Sequence, residues 1–253
     1  RDYFQIRQDG FTYEVIPIIK ITKADNAINI TDVSPLHANW VKKYKGLVDE
    51  IRLTKQFCRA QGVYGAESYI KGFSGYICEI LTINYGSFMS LIRNAAKWKP
   101  KTFIDANKYF KNKNEAVFHI NKSKMEGPMI VVDPVQKSRN ASAALGEDMY
   151  ERFIEACKAF LKKPSKKFFE IKNISLEELS KKARFNKLIT LDVHTIQGKE
   201  DVIGSKIVKV VKFIKKEFVK NDFKIINMGW NWKKKKKALL WFIMDKKELS
   251  EYK

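Results

Sequence analysis

At 253 residues, with 45% apolar residues and a formal net charge of +21, the chain is a folding protein and not a disordered basic tail, because such tails are too poor in apolar residues to build a core. Its length suits two or three compact units of roughly 100–150 residues each. The lysine-rich charge asks for a polyanionic partner, and no apolar run approaches the ~20 residues of a spanning helix, so nucleic acid is favoured over a membrane.

The first predicted region, 1–45, opens on two runs rich in β-branched and aromatic residues, on either side of Asp9-Gly10, a hairpin turn signal. Ser34-Pro35 marks a helix start, with the serine capping free amides, the proline fitting the first turn and His37 in that same turn. The second region, 46–163, reads as mostly helical. GLVDEIRLTKQFCRAQ turns Val48, Ile51 and Phe57 inward, while Arg52, Lys55 and Arg59 share another face. GVYGAESYIKGFSGY (62–76) then sets four glycines among three tyrosines and a phenylalanine, a composition for tight turns and close backbone approach. Two further helices are expected over SGYICEILTINYG and SFMSLIRNAAKW. IVVDPVQKSRNASAAL reads as a short apolar strand, a polar turn and a helix start, and EDMYERFIEACKAFLKK as an amphipathic helix stopped by Pro164.

The third region, 164–253, begins a strand at LITLDVHTI. A helix follows with Ile203, Ile207, Val210, Ile214 and Phe218 on one face and a lysine row on the other. FKIINMGWNW and ALLWFIMD are two more strands, joined by the lysines 233–237. This is a small α+β sandwich with one open sheet face. Lysines on a hairpin tip, near Trp230, Trp232 and Trp241, read equally as edge protection and as a phosphate-facing arm. Cys58, Cys78 and Cys157, odd in number and set in apolar helical patterns, read as buried thiols of a reducing, cytoplasmic compartment. His37, His119 and His194 are scattered and suggest no zinc site, so metal chemistry would rest on carboxylates and magnesium-like ions.

In order, E-V-I-P, S-P-L-H, R-L-T-K, G-V-Y-G-A-E, G-F-S-G-Y, D-P-V-x-x-S-R-N, V-I-G-S-K-I and M-G-W resemble the archaeal, class I CCA-adding enzymes, tRNA nucleotidyltransferases that build the 3′ CCA end from CTP and ATP without a template. The resemblance covers nearly the whole chain. It implies an α+β multidomain fold: the end of a nucleotidyltransferase palm sheet (1–45), a helical neck (46–163) and an RRM- or ferredoxin-like α+β body that holds tRNA (164–253). It also implies two Mg²⁺ ions, held by three carboxylates, with Glu14 at the position where relatives carry Asp.

By the same resemblance, Ser34 and His37 touch the nucleotide sugar and triphosphate, Lys55 and Tyr64 grip the triphosphate, and Arg139 touches both the incoming base and the tRNA backbone. Arg52, Arg59, Asn140, Lys233, Lys234 and Lys235 are the further residues expected on tRNA, with the acceptor end and TΨC arm as the RNA partner. Asp133 and Asn140 are also candidates for merely shaping a turn. Of the aromatics, Tyr69, Phe73 and Tyr76 are expected to pack the neck. The family's Gly-Ser followed by Asp-x-Asp does not occur in these residues. The expectation is therefore an internal segment, a processed fragment or one piece of a split enzyme, inactive alone and completed by a second polypeptide, with a homodimer as a further option. A catalytically silent tRNA-binding subunit and another template-free nucleotidyltransferase are the alternatives.

Overall fold

The computed structural model describes residues 4–171, 174–233 and 236–245, and it divides into two compact units. One comprises Arg1–Ala66 with Lys71–Glu170, the other Glu67–Ile70 with Ile171–Lys253. The boundary expected at residue 45 falls inside the first unit, and the one expected at 163 lies near the observed division.

The first unit opens on an antiparallel hairpin of β1 (Phe4–Gln8) and β2 (Phe11–Val15). Asp9 and Gly10 both have positive φ, 51° and 76°, which matches the twist of a two-residue hairpin turn. Every residue of the two strands is exposed. The extended chain after β2 is tied down by Asp32, whose carboxylate accepts the amides of Ile19, Ile28 and Asn29. Those backbone bonds, led by that of Asn29, outweigh burial and hold its pKa below the ordinary carboxylate value.

Helix α1 (Ser34–Lys42) begins as expected at Ser34, but Ser34 is not its cap. A 3-10 turn, Ile30–Val33, runs straight into the helix, and no side chain caps it. Helices α2 (Val48–Ala60), α3 (Gly75–Tyr85) and α4 (Phe88–Ala95) follow. Ser74 and Ser87 cap α3 and α4 by accepting the amides of Ile77 and Ser90. Ile51 and Phe57 point into the core, whereas Val48, expected inward, is exposed. Phe57 is the hub of that core, ringed by Phe88, Phe153, Phe160, Phe168 and Phe169 at centroid distances of 5.5–6.3 Å. Four of these pairs are edge-on and the one with Phe168 is stacked, and such ring pairs add to the burial itself. Phe73 and the three cysteines are buried in the same core, the thiols free as expected. Beyond it, β3 (Thr102–Ile104) pairs in parallel with β4 (Met129–Val131), across a short helix α5 (Lys113–His119). The helix start expected after Arg139 is instead a turn, and the amphipathic helix α6 (Glu147–Lys162) begins only after it.

In the second unit, α7 (Leu176–Ala183) precedes β5 (Lys187–His194), α8 (Glu200–Lys220), β6 (Ile225–Asn231) and β7 (Lys237–Met244). The sheet order is β5-β7-β6 with both pairings antiparallel, so β5 and β6 run the same way with β7 inserted between them, a split β-α-β unit. The predicted apolar face of α8 packs on alternate β7 residues Ala238, Leu240, Phe242 and Met244, as the period-2 geometry of a strand requires. Tyr69 packs here, not in the helical neck. A Cβ on Gly204 would lie 2.3 Å from its ring, so only glycine admits the tyrosine. Beside it, Ser68 donates to Asp201 and shares a hydrogen bond with Ser205. The V-I-G-S-K-I motif is thus a seat for residues 67–70. Trp230 packs against the same core and Trp241 is buried. Lys233 is exposed, while Lys234 and Lys235 lie outside the described residues. Among the described residues, no helix is long and apolar enough to cross a membrane.

Candidate functional site

The glycine-tyrosine stretch folds back on itself ahead of α3. Phe73 donates its amide to Val63 and its carbonyl accepts from Gly65, at 2.7 and 2.8 Å. A Cβ at Gly72 would sit 2.2 Å from the Val63 carbonyl oxygen, so the two backbones come together only because this residue has no side chain. The fold-back aims Tyr64 at the first turn of α3. There the Tyr64 hydroxyl and the Lys55 ammonium pack close against Gly75, where a Cβ would lie 2.9 and 3.8 Å from them. Free amides at the start of a helix, a phenol and an ammonium gathered at one point suit an anion.

The charges here are already partnered. Lys55 Nζ donates to Glu79 Oε1 at 2.6 Å, with both side chains about one-fifth exposed. The Arg59 guanidinium lies 4.4 Å above the Tyr64 ring, a cation-π contact. One residue along α3, Tyr76 lies against the His37 ring at 4.2 Å and donates to Asp133 at 3.3 Å.

Asp133 is the centre of the second half of the cluster. Its carboxylate is fully buried and accepts from His37 Nε2 at 3.1 Å, the Val135 amide at 2.9 Å, Tyr76 and Arg139 Nη1. Burial pushes its pKa up, but the His37 hydrogen bond, the Val135 amide and the charges of His37 and Arg139 together hold it below the usual value. Burial first, then the charge of Asp133, pushes the Tyr76 phenol far upward, so it stays a neutral donor. An ionised Asp133 accepts the Nε2 proton of His37, which leaves Nδ1 as the ring's other nitrogen for a ligand.

Four of the expected residues therefore meet the start of α3 in two groups at adjacent positions: Lys55 and Tyr64 at Gly75, with Arg59 over the Tyr64 ring, and His37 and Arg139 on Asp133 beside Tyr76. Ser34 is exposed on the first turn of α1, three residues before His37. Arg52 is exposed and, among the described residues, pairs only with exposed Asp49, at 3.1 Å. Asn140 is a correction. It is buried, its oxygen accepts from Val131 and Ser142, and its amide donates to Lys124 and Met129 carbonyls, so no hydrogen-bonding group is left for RNA. Sequence reasoning left Asp133 as a turn former and passed over Glu79. The one signal was position, since an acid closing an apolar strand six residues before an arginine can fold back onto it.

Glu14 stands apart, exposed on β2 with its carboxylate accepting from the Gln5 amide at 2.8 Å. Among the described residues no three His, Cys, Asp or Glu side chains gather as a metal site. One exposed carboxylate does not hold a divalent ion, so these residues by themselves do not fit a two-ion centre.

Residues 49–170 match the family model for the tRNA nucleotidyltransferase second domain. The CCA-adding enzyme of Nanoarchaeum equitans is 34% identical over 247 residues, which is 97% of this chain and 60% of that protein. The CCA-adding enzyme of Methanocaldococcus jannaschii is 35% identical over 222 residues, covering 87% and 49%, and that of Archaeoglobus fulgidus 38% over 165 residues, covering 65% and 35%. The chain thus spans at most three-fifths of these relatives. It belongs to the archaeal-type CCA-adding enzyme family.

Proposed function

We propose that this chain is the nucleotide- and tRNA-holding part of an enzyme that adds CCA to tRNA 3′ ends from CTP and ATP. The observation that carries the reading is the convergence of the Tyr64 hydroxyl and the Lys55 ammonium on the start of α3 at Gly75. In this role Lys55 and Tyr64 hold the triphosphate, and Ser34 and His37 face the sugar and phosphates. Arg139 contacts the base and the RNA backbone, as a guanidinium fork can and an ammonium cannot. Asp133 fixes His37 and Arg139 in place. Glu79 keeps Lys55 extended until phosphate displaces it. Residues 1–45 are then the end of a nucleotidyltransferase domain, with Glu14 supplying one carboxylate and the others coming from a portion carrying Gly-Ser and Asp-x-Asp. The 46–163 region is the neck, and the α+β unit, with Lys233 on its surface, faces the acceptor end and TΨC arm by shape and charge.

The test mixes the chain with a polypeptide bearing Gly-Ser and Asp-x-Asp, Mg²⁺, CTP, ATP and a tRNA lacking CCA. Extension of the tRNA is expected, and so is its loss with Lys55→Ala. Arg139→Ala should disturb the choice between C and A. Binding of tRNA with no CTP binding by the wild-type chain would make it a silent RNA-holding subunit.

A further inference from the structure

The first unit contains a cleft of about 750 Å³ that the nucleotide cluster does not use. Its walls are a face of α1 that excludes His37, the loop around Lys23, the segment at Asn107 and Tyr109, and the turn 134–138. The ends of that turn are Asp133 and Arg139. The cleft and the cluster at α3 therefore share two elements, α1 and the turn, without sharing a lining side chain.

Its chemistry is that of a groove for a nucleic-acid strand. Lys23, Lys43 and Lys137 stand on its rim against a single acid, Asp25, and none of the three lysines has an ion-pair partner among the described residues. The Tyr109 ring is 42% exposed, yet its hydroxyl is pinned to the Pro134 carbonyl at 2.5 Å and accepts from Asn107 at 3.0 Å. A flat ring held still at a basic rim is a stacking platform for a base. An acidic peptide would answer the lysines but not the ring. The volume lies within the range of small-molecule sites and exceeds what one phosphate needs.

The geometry points to this cleft as a seat for one or two nucleotides of single-stranded RNA, separate from the triphosphate gripped at α3. The inference rests on reading the chain as a nucleotidyltransferase that works on an RNA end. A strand lying there presses on the turn that carries Arg139, so the RNA end and the incoming nucleotide would be sensed through one loop.

The test uses the full chain and a short fluorescein-labelled single-stranded oligoribonucleotide, followed by anisotropy across a salt series. Lys43→Ala with Lys137→Ala is expected to weaken binding about tenfold. It should also flatten the log-affinity against log-salt slope by about 1.4, since each lost single-strand phosphate contact removes roughly 0.7. Tyr109→Ala should weaken it at least about fivefold at unchanged charge, the low end for one lost base stack. Lys162→Ala with Lys163→Ala, an equal charge change at exposed residues ending α6, should leave binding as it was. CTP binding is measured in parallel and should not move. If CTP fails to bind the wild type while the oligonucleotide results hold, the reading of the α3 cluster fails and the cleft stands. Unchanged oligonucleotide binding in the Lys43/Lys137 variant overturns the assignment. An equal loss in the Lys162/Lys163 control, or an equal loss for a duplex of the same sequence, overturns it as well.

Discussion

Two regions of the molecule, the start of α3 and helix α8, handle positive charge in opposite ways. Around the start of α3 every cation has an internal partner: Lys55 has Glu79, Arg139 shares Asp133 with the His37 ring, and Arg59 covers Tyr64. Along α8, Lys206, Lys209, Lys212, Lys215, Lys216 and Lys220 make no ion pair with any described residue, and 202–216 contains no acid. A partnered cation is held in one geometry and must exchange its acid for a ligand. An unpartnered lysine on a flexible stem attracts any phosphate and selects poorly. The charge of +21 that signals a polyanion is thus mostly not the charge that would choose a nucleotide.

The largest way to break this contrast is to remove the shared acid. Asp133→Ala strands Arg139 and His37 beside a buried hole, and losing one partner of a buried pair costs about 3–5 kcal/mol. The melting midpoint should fall by roughly 10 °C, given about 2–4 °C per kcal/mol at this size. Alanines at Lys206, Lys209 and Lys216 should leave the midpoint almost where it was, because exposed lysines without partners contribute little. An undisturbed midpoint in Asp133→Ala would show that the cluster is not held through this carboxylate. The same residue sets an acid limit. Its folded pKa is depressed, so its stabilisation is complete above the ordinary value near 3.9 and is lost as pH falls through the lower folded value. Below about pH 4, wild type should lose stability more steeply than Asp133→Asn. Asp133→Asn should still lose some stability there, because Asp32, also depressed, titrates with the same sign in both proteins.

A second test sharpens the contrast on the other side. The triple alanine variant of Lys206, Lys209 and Lys216 should flatten the salt dependence of duplex RNA binding by about 2–3 in log-log slope, at roughly 0.7–0.9 per phosphate contact. CTP affinity should not change. If both fall together, the two kinds of charge are not separate in function. Gly75→Ala is the converse. Alanine suits a helix better than glycine by up to about 1 kcal/mol, so the midpoint should hold or rise. Its methyl would press on the Tyr64 hydroxyl, and CTP binding should drop about tenfold in calorimetry.

Much of this was legible in the sequence because periodicity carries it. The apolar face of α8, the extents of α3 and α4, and the Asp9-Gly10 turn all follow from spacing and local chemistry. What was not legible depended on contacts distant in sequence. Tyr69 left its neighbours Phe73 and Tyr76 for Gly204, more than 130 residues away, and no local pattern announces that. Asp133 looked like a turn residue because its partners, His37 and Tyr76, lie on other elements. Asn140, next to Arg139, turned inward where the arginine did not. The resemblance brought together the residues around α3, but the acids that pre-pair them had no signal beyond being acids.

Arg52 offers the smallest and finest test. It begins the basic face of α2, yet it does not join the cluster that its neighbours Lys55 and Arg59 build, and its only ion-pair partner among the described residues is exposed Asp49. Exposed pairs three residues apart are worth a few tenths of a kcal/mol, so Arg52→Ala should shift the midpoint by about 1 °C or less. If Arg52 meets an RNA phosphate, the salt slope should fall by just under one unit, with an affinity loss below tenfold. A slope identical to wild type, measured beside a reduced slope for Arg59→Ala, would end the basic face of α2 at Lys55 and leave Arg52 as solvated surface.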